Sequence, residues 1–130
     1  MFYYPTHYHG ALGCQAEVGV AASMAAGALA SFQTQDAAAV ETAAVLAMQS
    51  LLGQLCDPIG GYVQAPCIIR NMTAVSVAVT CANAALMGMD ALVSLDEMCR
   101  AVLRTGEKLH AVNLLGTCAC ACRTGNGRAN

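Results

Sequence analysis

The chain is 130 residues long, which is one domain's worth of polypeptide and enough to bury a single core. Hydrophobic residues make up 57% and charged residues 11%, which excludes an intrinsically disordered segment. Six basic against eight acidic side chains give a formal charge of −2, so no positive field exists to hold a nucleic-acid backbone, and DNA or RNA is excluded as a partner. So low a charge density is unusual for the surface of a free-standing monomer and predicts a subunit that docks on a partner, or a part of something larger.

Eight cysteines need an explanation. The opening MFYYPTHYHG has no basic start, no apolar run and no small-residue cleavage site, so it does not read as a secretion signal. The residues between the cysteines are rich in Ala, Leu, Met and Val, as in a helical core rather than a stapled, loop-rich fold. The expectation is a cytoplasmic chain with reduced thiols, some on metal and some merely buried. Val75 to Leu95 is apolar apart from Asp90, but Ser76, Thr80, Asn83 and Gly88 interrupt it. Small residues of this kind serve close packing in a soluble core, and no membrane insertion is expected.

Met1–His9 holds three of the four Tyr and two of the three His, a composition unlike that of the remaining chain. It reads as a separate arm ahead of a domain covering 10–130. Gln15 to Phe32 is almost entirely Ala, Val, Met and Gly and predicts a helix buried around most of its girth. Thr34 is a candidate N-cap for a helix from Asp36 to about Gln54. Cys56 to Cys67, C-D-P-I-G-G-Y-V-Q-A-P-C, carries two Pro and two adjacent Gly and predicts a stiff loop with a cysteine at each end. The next predicted helix covers Ile68–Met87. Ser94-Leu95-Asp96-Glu97 reads as a capping box opening a helix to Arg104 or Thr105, broken by Gly106, with a short last helix over Glu107–Leu115. No strand pattern of useful length is present, so the predicted class is all-α: about five helices and one Gly/Pro-rich loop.

Cys14 precedes the first predicted helix and Cys67 the third, while Cys56 closes the second. If these helices pack as neighbours, the three thiols converge, and helix N-termini suit anionic ligands. The spacing alone leaves three readings open. Structural zinc takes four ligands, commonly in C-x₂-C pairs, and no such pair exists here. An iron–sulfur cluster on three Cys leaves one iron open to substrate. Three inert, buried cysteines are the third reading. Cys81 and Cys99, inside predicted helices, read as small core residues, and most of the seven Met as core filler. Cys118, Cys120 and Cys122 alternate with Ala in a Gly-rich tail and read as adventitious, oxidation-prone thiols.

G-C-Q-A-E-V-G-V-A, Gly13 to Ala21, followed by C-D-P-I-G-G-Y-V-Q-A-P-C-I-I-R-N, Cys56 to Asn71, closely resembles the α chain of the iron–sulfur L-serine dehydratases (L-serine ammonia-lyases). The separations of 42 positions from Cys14 to Cys56 and 11 from Cys56 to Cys67 belong to the resemblance, which extends over about Gly10 to Gly125. It implies a 4Fe-4S cluster held by Cys14, Cys56 and Cys67. The iron without a Cys ligand would activate the β-hydroxyl of L-serine in its conversion to pyruvate and ammonia. Gln15, Glu17, Asp57, Arg70 and Asn71 lie in the same motifs and are expected either to orient ligands or to cap and pair at adjacent helix ends. The family's α chain is much longer on its N-terminal side and works with a β domain or chain, so a β partner or self-association is expected. Related cysteine desulfidase-like proteins share a similar pattern, which leaves L-cysteine as the alternative substrate. A non-catalytic helical remnant without a cluster is the alternative of another class.

Overall fold

The computed structural model describes residues 12–55 and 64–111. Among them the chain is all-α and contains no strand. A π turn, Gln15–Gly19, runs straight into α1, Val20–Ser31, followed by α2, Ala37–Ser50, α3, Gln64–Leu86, and α4, Leu95–Ala111. The arm Met1–His9, the tail cysteines Cys118, Cys120 and Cys122, and most of the Gly/Pro loop, with Cys56, Asp57, Gly60 and Gly61, lie outside the described residues.

The first helix is buried on one side only, not around its girth. Ala22, Ser23, Ala26, Gly27 and Ala30 are buried, whereas Met24 and Phe32 are 71% and 87% exposed. Alanine counts as apolar in any hydrophobicity pattern, so an Ala/Gly stripe meant for close packing cannot be told by composition from an all-round apolar helix. The cap of α2 is Asp36 rather than Thr34. The Ala38 N–H donates to the Asp36 carboxylate at 2.9 Å, and Thr34 Oγ1 instead accepts the Asp36 N–H at 3.0 Å. The helix stops at Ser50, short of Gln54, and the chain turns through 51–55.

The third helix begins earlier than expected, at Gln64. Pro66 is therefore in the first turn, where a backbone without an N–H loses no helical bond. Cys67 stands inside that turn rather than ahead of the helix. The capping box of α4 is formed as predicted: the Ser94 N–H donates to Glu97 Oε2 at 3.0 Å, and the Glu97 N–H donates to Ser94 Oγ at 3.3 Å. The Glu41 carboxylate, on α2, accepts the Leu95 N–H at 3.0 Å and ties the start of α4 to its neighbour.

Gly106 does not break α4, which continues to Ala111, so four α-helices replace the expected five among the described residues. The glycine is there for contact. A Cβ at Gly106 would lie 3.1 Å from the Leu12 Cα and collide with the Leu12 side chain, so its absence lets the segment ahead of Cys14 lie directly on α4.

Helices α1, α2 and α3 pack on one another, and α4 packs on α2. The central core is built of small side chains: Ala22, Ala26 and Ala30 from α1, Ala43 and Ala47 from α2, and Ala74, Ala78, Ala82 and Ala85 from α3, with Cys14, Val18 and Cys81. Alanine gives up no rotamer freedom on burial and lets helix backbones approach closely. A second cluster, with Val45, Met48, Ala91, Met98 and Val102, seats α4.

Cys81 is a core residue as expected, but Cys99 is exposed on α4. The methionines divide in the same way. Met48 and Met98 are buried, but Met24, Met72, Met87 and Met89 are exposed, because the alanine-lined interfaces leave no room for them. The stretch Cys67–Leu86 within α3 is long and apolar enough, by length and composition alone, to cross a membrane.

Replacing Gly106 by Ala is expected to destabilise the fold by about 1–3 kcal/mol through overpacking against Leu12. Denaturant unfolding of Gly106→Ala beside the parent chain checks this, and unchanged stability would mean that the contact yields freely.

Candidate functional site

The site forms where the π turn and α3 both start, against the 51–55 turn that ends α2. Gly13 adopts a φ of 76°, in the left-handed region that glycine enters without strain, and swings the chain into the turn. The Ala16 N–H donates to the Gly13 carbonyl at 3.1 Å, and Cys14 is the N-cap residue of the π turn. Short π segments recur where a side chain must be aimed out of helical register. Here the segment carries Cys14 at its head and leaves that residue 3% exposed.

Two groups gather around Cys14. The Cys67 thiol, in the first turn of α3, lies near enough to the Cys14 side chain to interact with it electrostatically. Arg70, one turn further along α3, donates through Nη1 to Cys14 Sγ at 3.1 Å and to the Leu55 carbonyl. That carbonyl belongs to the residue immediately before Cys56. Arg70 thus ties the starts of the π turn and α3 to the chain entering the loop.

The Cys67 thiol is held above the ordinary value of 9.0, first by burial and then by the nearby Cys14 and Glu17, with the Arg70 guanidinium opposing. Glu17 is exposed and Asn71 turns back on its own helix, its side-chain N–H donating to the Cys67 carbonyl at 2.8 Å. Of the polar residues in the motif, Arg70 alone among those described hydrogen-bonds a cysteine sulfur.

Gln15 has a different job from the ligand-orienting one that its place beside Cys14 suggests. Its side chain is 1% exposed and bonded away from the thiols. The Nε2 donates to the Val102 carbonyl of α4 at 3.0 Å, and Oε1 accepts the Gly53 N–H at 2.8 Å. Its own N–H donates to the Gln54 carbonyl at 3.1 Å. One amide therefore braces the π turn, the end of α2 and α4 together, 87 residues apart in sequence at the longest reach. Sequence reasoning had no signal for the Val102 and Leu55 carbonyls, since any residue type presents one.

The donor set is soft thiol chemistry with a cation beside it, which suits iron or an iron–sulfur cluster better than a hard, oxygen-liganded ion. Cys14 and Cys67 are brought together, whereas Cys56 lies outside the described residues. Among the described residues no group of three or more His, Cys, Asp or Glu side chains is placed to hold a metal ion. The two thiols are donors of the kind an iron–sulfur cluster takes, and Arg70 also holds the Leu55 carbonyl, the last described residue before the Gly/Pro segment. An open cavity of about 650 Å³ lies at the other end of α2, lined by Thr34, Glu41 and Ser94 among others and by no cysteine.

The model of the serine dehydratase alpha chain family matches residues 7–112. An L-serine dehydratase of Streptomyces coelicolor is 49% identical over 99 residues, which covers 75% of this chain and 22% of that protein. That of Mycobacterium bovis is 45% identical over 101 residues, 76% of this chain and 22% of the relative. The L-serine dehydratase 2 of Escherichia coli is 45% identical over 101 residues, 77% and 22% respectively. The chain thus spans about a fifth of the length of the curated relatives it matches.

Loss of the Gln15 brace leaves a buried N–H and a carbonyl without their partner. Gln15→Leu is expected to cost about 1–3 kcal/mol of stability, whereas Glu17→Gln, at an exposed position, is expected to be neutral. Thermal unfolding of the two variants decides it, and a Gln15→Leu chain as stable as the parent would contradict the bracing role.

Proposed function

The chain belongs to the serine dehydratase alpha-chain family, and from that premise we propose that it is the cluster-binding part of an L-serine dehydratase. In this reading Cys14, Cys56 and Cys67 are the three protein ligands of a 4Fe-4S cluster. The observation that carries it is the meeting of Cys14 and Cys67 under the Arg70 guanidinium, at the mouth of the segment that leads to Cys56. When bound, such a cluster supplies a Lewis-acidic iron with coordination positions free for the substrate's oxygen atoms, in the conversion of L-serine to pyruvate and ammonia.

The chain's own residues prepare that site. Ligation requires thiolates, and the Cys67 thiol, pushed up by burial, gives up its proton on binding. Arg70 sets a cation against the negative charge that the ligating sulfurs would otherwise accumulate. Its hold on the Leu55 carbonyl fixes the end of the 51–55 turn beside the Cys14 thiol. Gln15 keeps the turn that bears Cys14 registered on the end of α2 and on α4, so the ligand is presented by a rigid element.

The reading takes residues 10–130 as one domain, with 1–9 outside it. Since the chain covers 22% of its relatives' length, a substrate pocket needs further polypeptide. The rest of the α chain and a β partner, or a second copy, would supply it. Free cysteines suit a reducing, cytoplasmic setting, and Cys14, Cys67, Cys81 and Cys99 are all free.

Anaerobic reconstitution with iron and sulfide, applied to single cysteine variants, tests the assignment. Cys14→Ser, Cys56→Ser and Cys67→Ser should each lose most of the bound iron, while Cys81→Ser and Cys99→Ser keep the parental content. Equal retention in all five would show that the ligands are misassigned.

A further inference from the structure

One face of α3 has no partner among the described residues. Ile68, Met72, Val75 and Val79 recur at spacings of four, three and four, so they form one stripe along the helix. They are 61%, 68%, 65% and 44% exposed. The buried face, Ala74, Ala78, Cys81, Ala82 and Ala85, is centred about a quarter-turn around the helix and is already used by α1 and α2. No charged residue occurs between Arg70 and Asp90, so no ion pair is available to a partner along the stripe. The outward side of α4 is unlike it, with Asp96, Glu97, Arg100, Arg104, Glu107 and Lys108 all exposed. The helix resembles a core element with one side left open.

Resting on the reading of this chain as part of an L-serine dehydratase, we propose that the Ile68–Met72–Val75–Val79 face is the docking surface for an uncharged, apolar helix from the portion of the dehydratase outside the matched residues. Two observations select that occupant. The match covers 22% of the relative, so the remaining 78% (100 − 22) is polypeptide of the same protein that an open apolar face on this bundle can seat. The stripe also starts at the residue after Cys67, so a helix laid along it ends beside the thiols. Docking there covers the apolar face and closes one side of the cysteine site in a single event. A lipid surface or a second copy would cover the stripe without adding the missing pocket.

The test compares one double substitution in two settings: this chain alone, and a hybrid in which it replaces the 99 matching residues of the Streptomyces coelicolor L-serine dehydratase. Met72→Glu with Val75→Glu should leave the melting temperature of the isolated chain within about 2 °C. In the hybrid it should lower it by about 10 °C or prevent soluble assembly, because two carboxylates are then buried unpaired. Thr73→Glu with Thr80→Glu, on the neighbouring polar face, should be silent in both settings.

Equal effects of the stripe variant in both settings would overturn the proposal. So would a parental chain that sediments as a dimer, or binds phosphatidylcholine vesicles, through the same residues. Should the hybrid itself not fold, the chain and the remaining dehydratase polypeptide are co-expressed as separate pieces. Co-elution abolished by the stripe variant then supports docking, and absence of co-elution overturns it. Iron content is measured alongside: docking without iron loading sinks the cluster assignment alone, and loading without docking sinks the surface alone.

Discussion

Close approach of α1, α2 and α3 along their alanine faces is the constraint on which the rest of the molecule depends. With Ala22, Ala26 and Ala30 set against Ala43, Ala47, Ala74 and Ala78, the backbones come together with little side-chain volume between them. Each buried alanine contributes little hydrophobic free energy, about 0.8 kcal/mol for a methylene-sized increment, so stability rests on many such contacts at native density. The same economy explains the surface. Larger apolar side chains, Met24, Phe32 and Met72 among them, cannot enter these seams and stay outside. That packing also sets the starts of the π turn and α3 side by side, which no local feature of either segment would do.

Once those two starts are adjacent, the site is fixed by a few polar groups. Arg70 reaches back to Cys14 and to the Leu55 carbonyl, and Gln15 ties the π turn to Gly53 and Val102. The division of labour is physical. The charged group stands on sulfur, where ligation would concentrate negative charge, and the neutral amide sits in the dry interior, where a charge would be costly to bury. Under the proposed cluster assignment, rigid placement of the thiols would keep one iron open to substrate, because a mobile ligand would compete for that position.

Much of the fold was legible because it rests on local chemistry. The Ser94–Glu97 box, the all-α class and the membership of Cys81 in the core are set by residue types at fixed offsets. The misreadings come from tertiary contact. Gly106 looks like a helix breaker until Leu12 is seen against it, and Cys99 looks like core until α4 is seen to pack by its other side. Thr34 and Asp36 are both good caps, and only the backbone conformation, extended at Asp36, chooses between them. At the site, the positions of Cys14 and Cys67 near helix starts were readable, but their meeting depends on how the helices pack. The π turn was not, since its sequence is that of an ordinary helix. The Gln15 brace was not either, because its acceptor in α4 is a backbone carbonyl.

If Cys14, Cys56 and Cys67 hold a 4Fe-4S cluster as proposed, one of its irons differs from the other three. Mössbauer spectroscopy of the chain reconstituted anaerobically with ⁵⁷Fe tests it most directly. The expected result is about four irons per chain and, on adding L-serine to the chain assembled with the rest of the dehydratase, a change confined to about one quarter of the spectral area. Irons that all respond alike, or a folded chain that binds no iron, would contradict it.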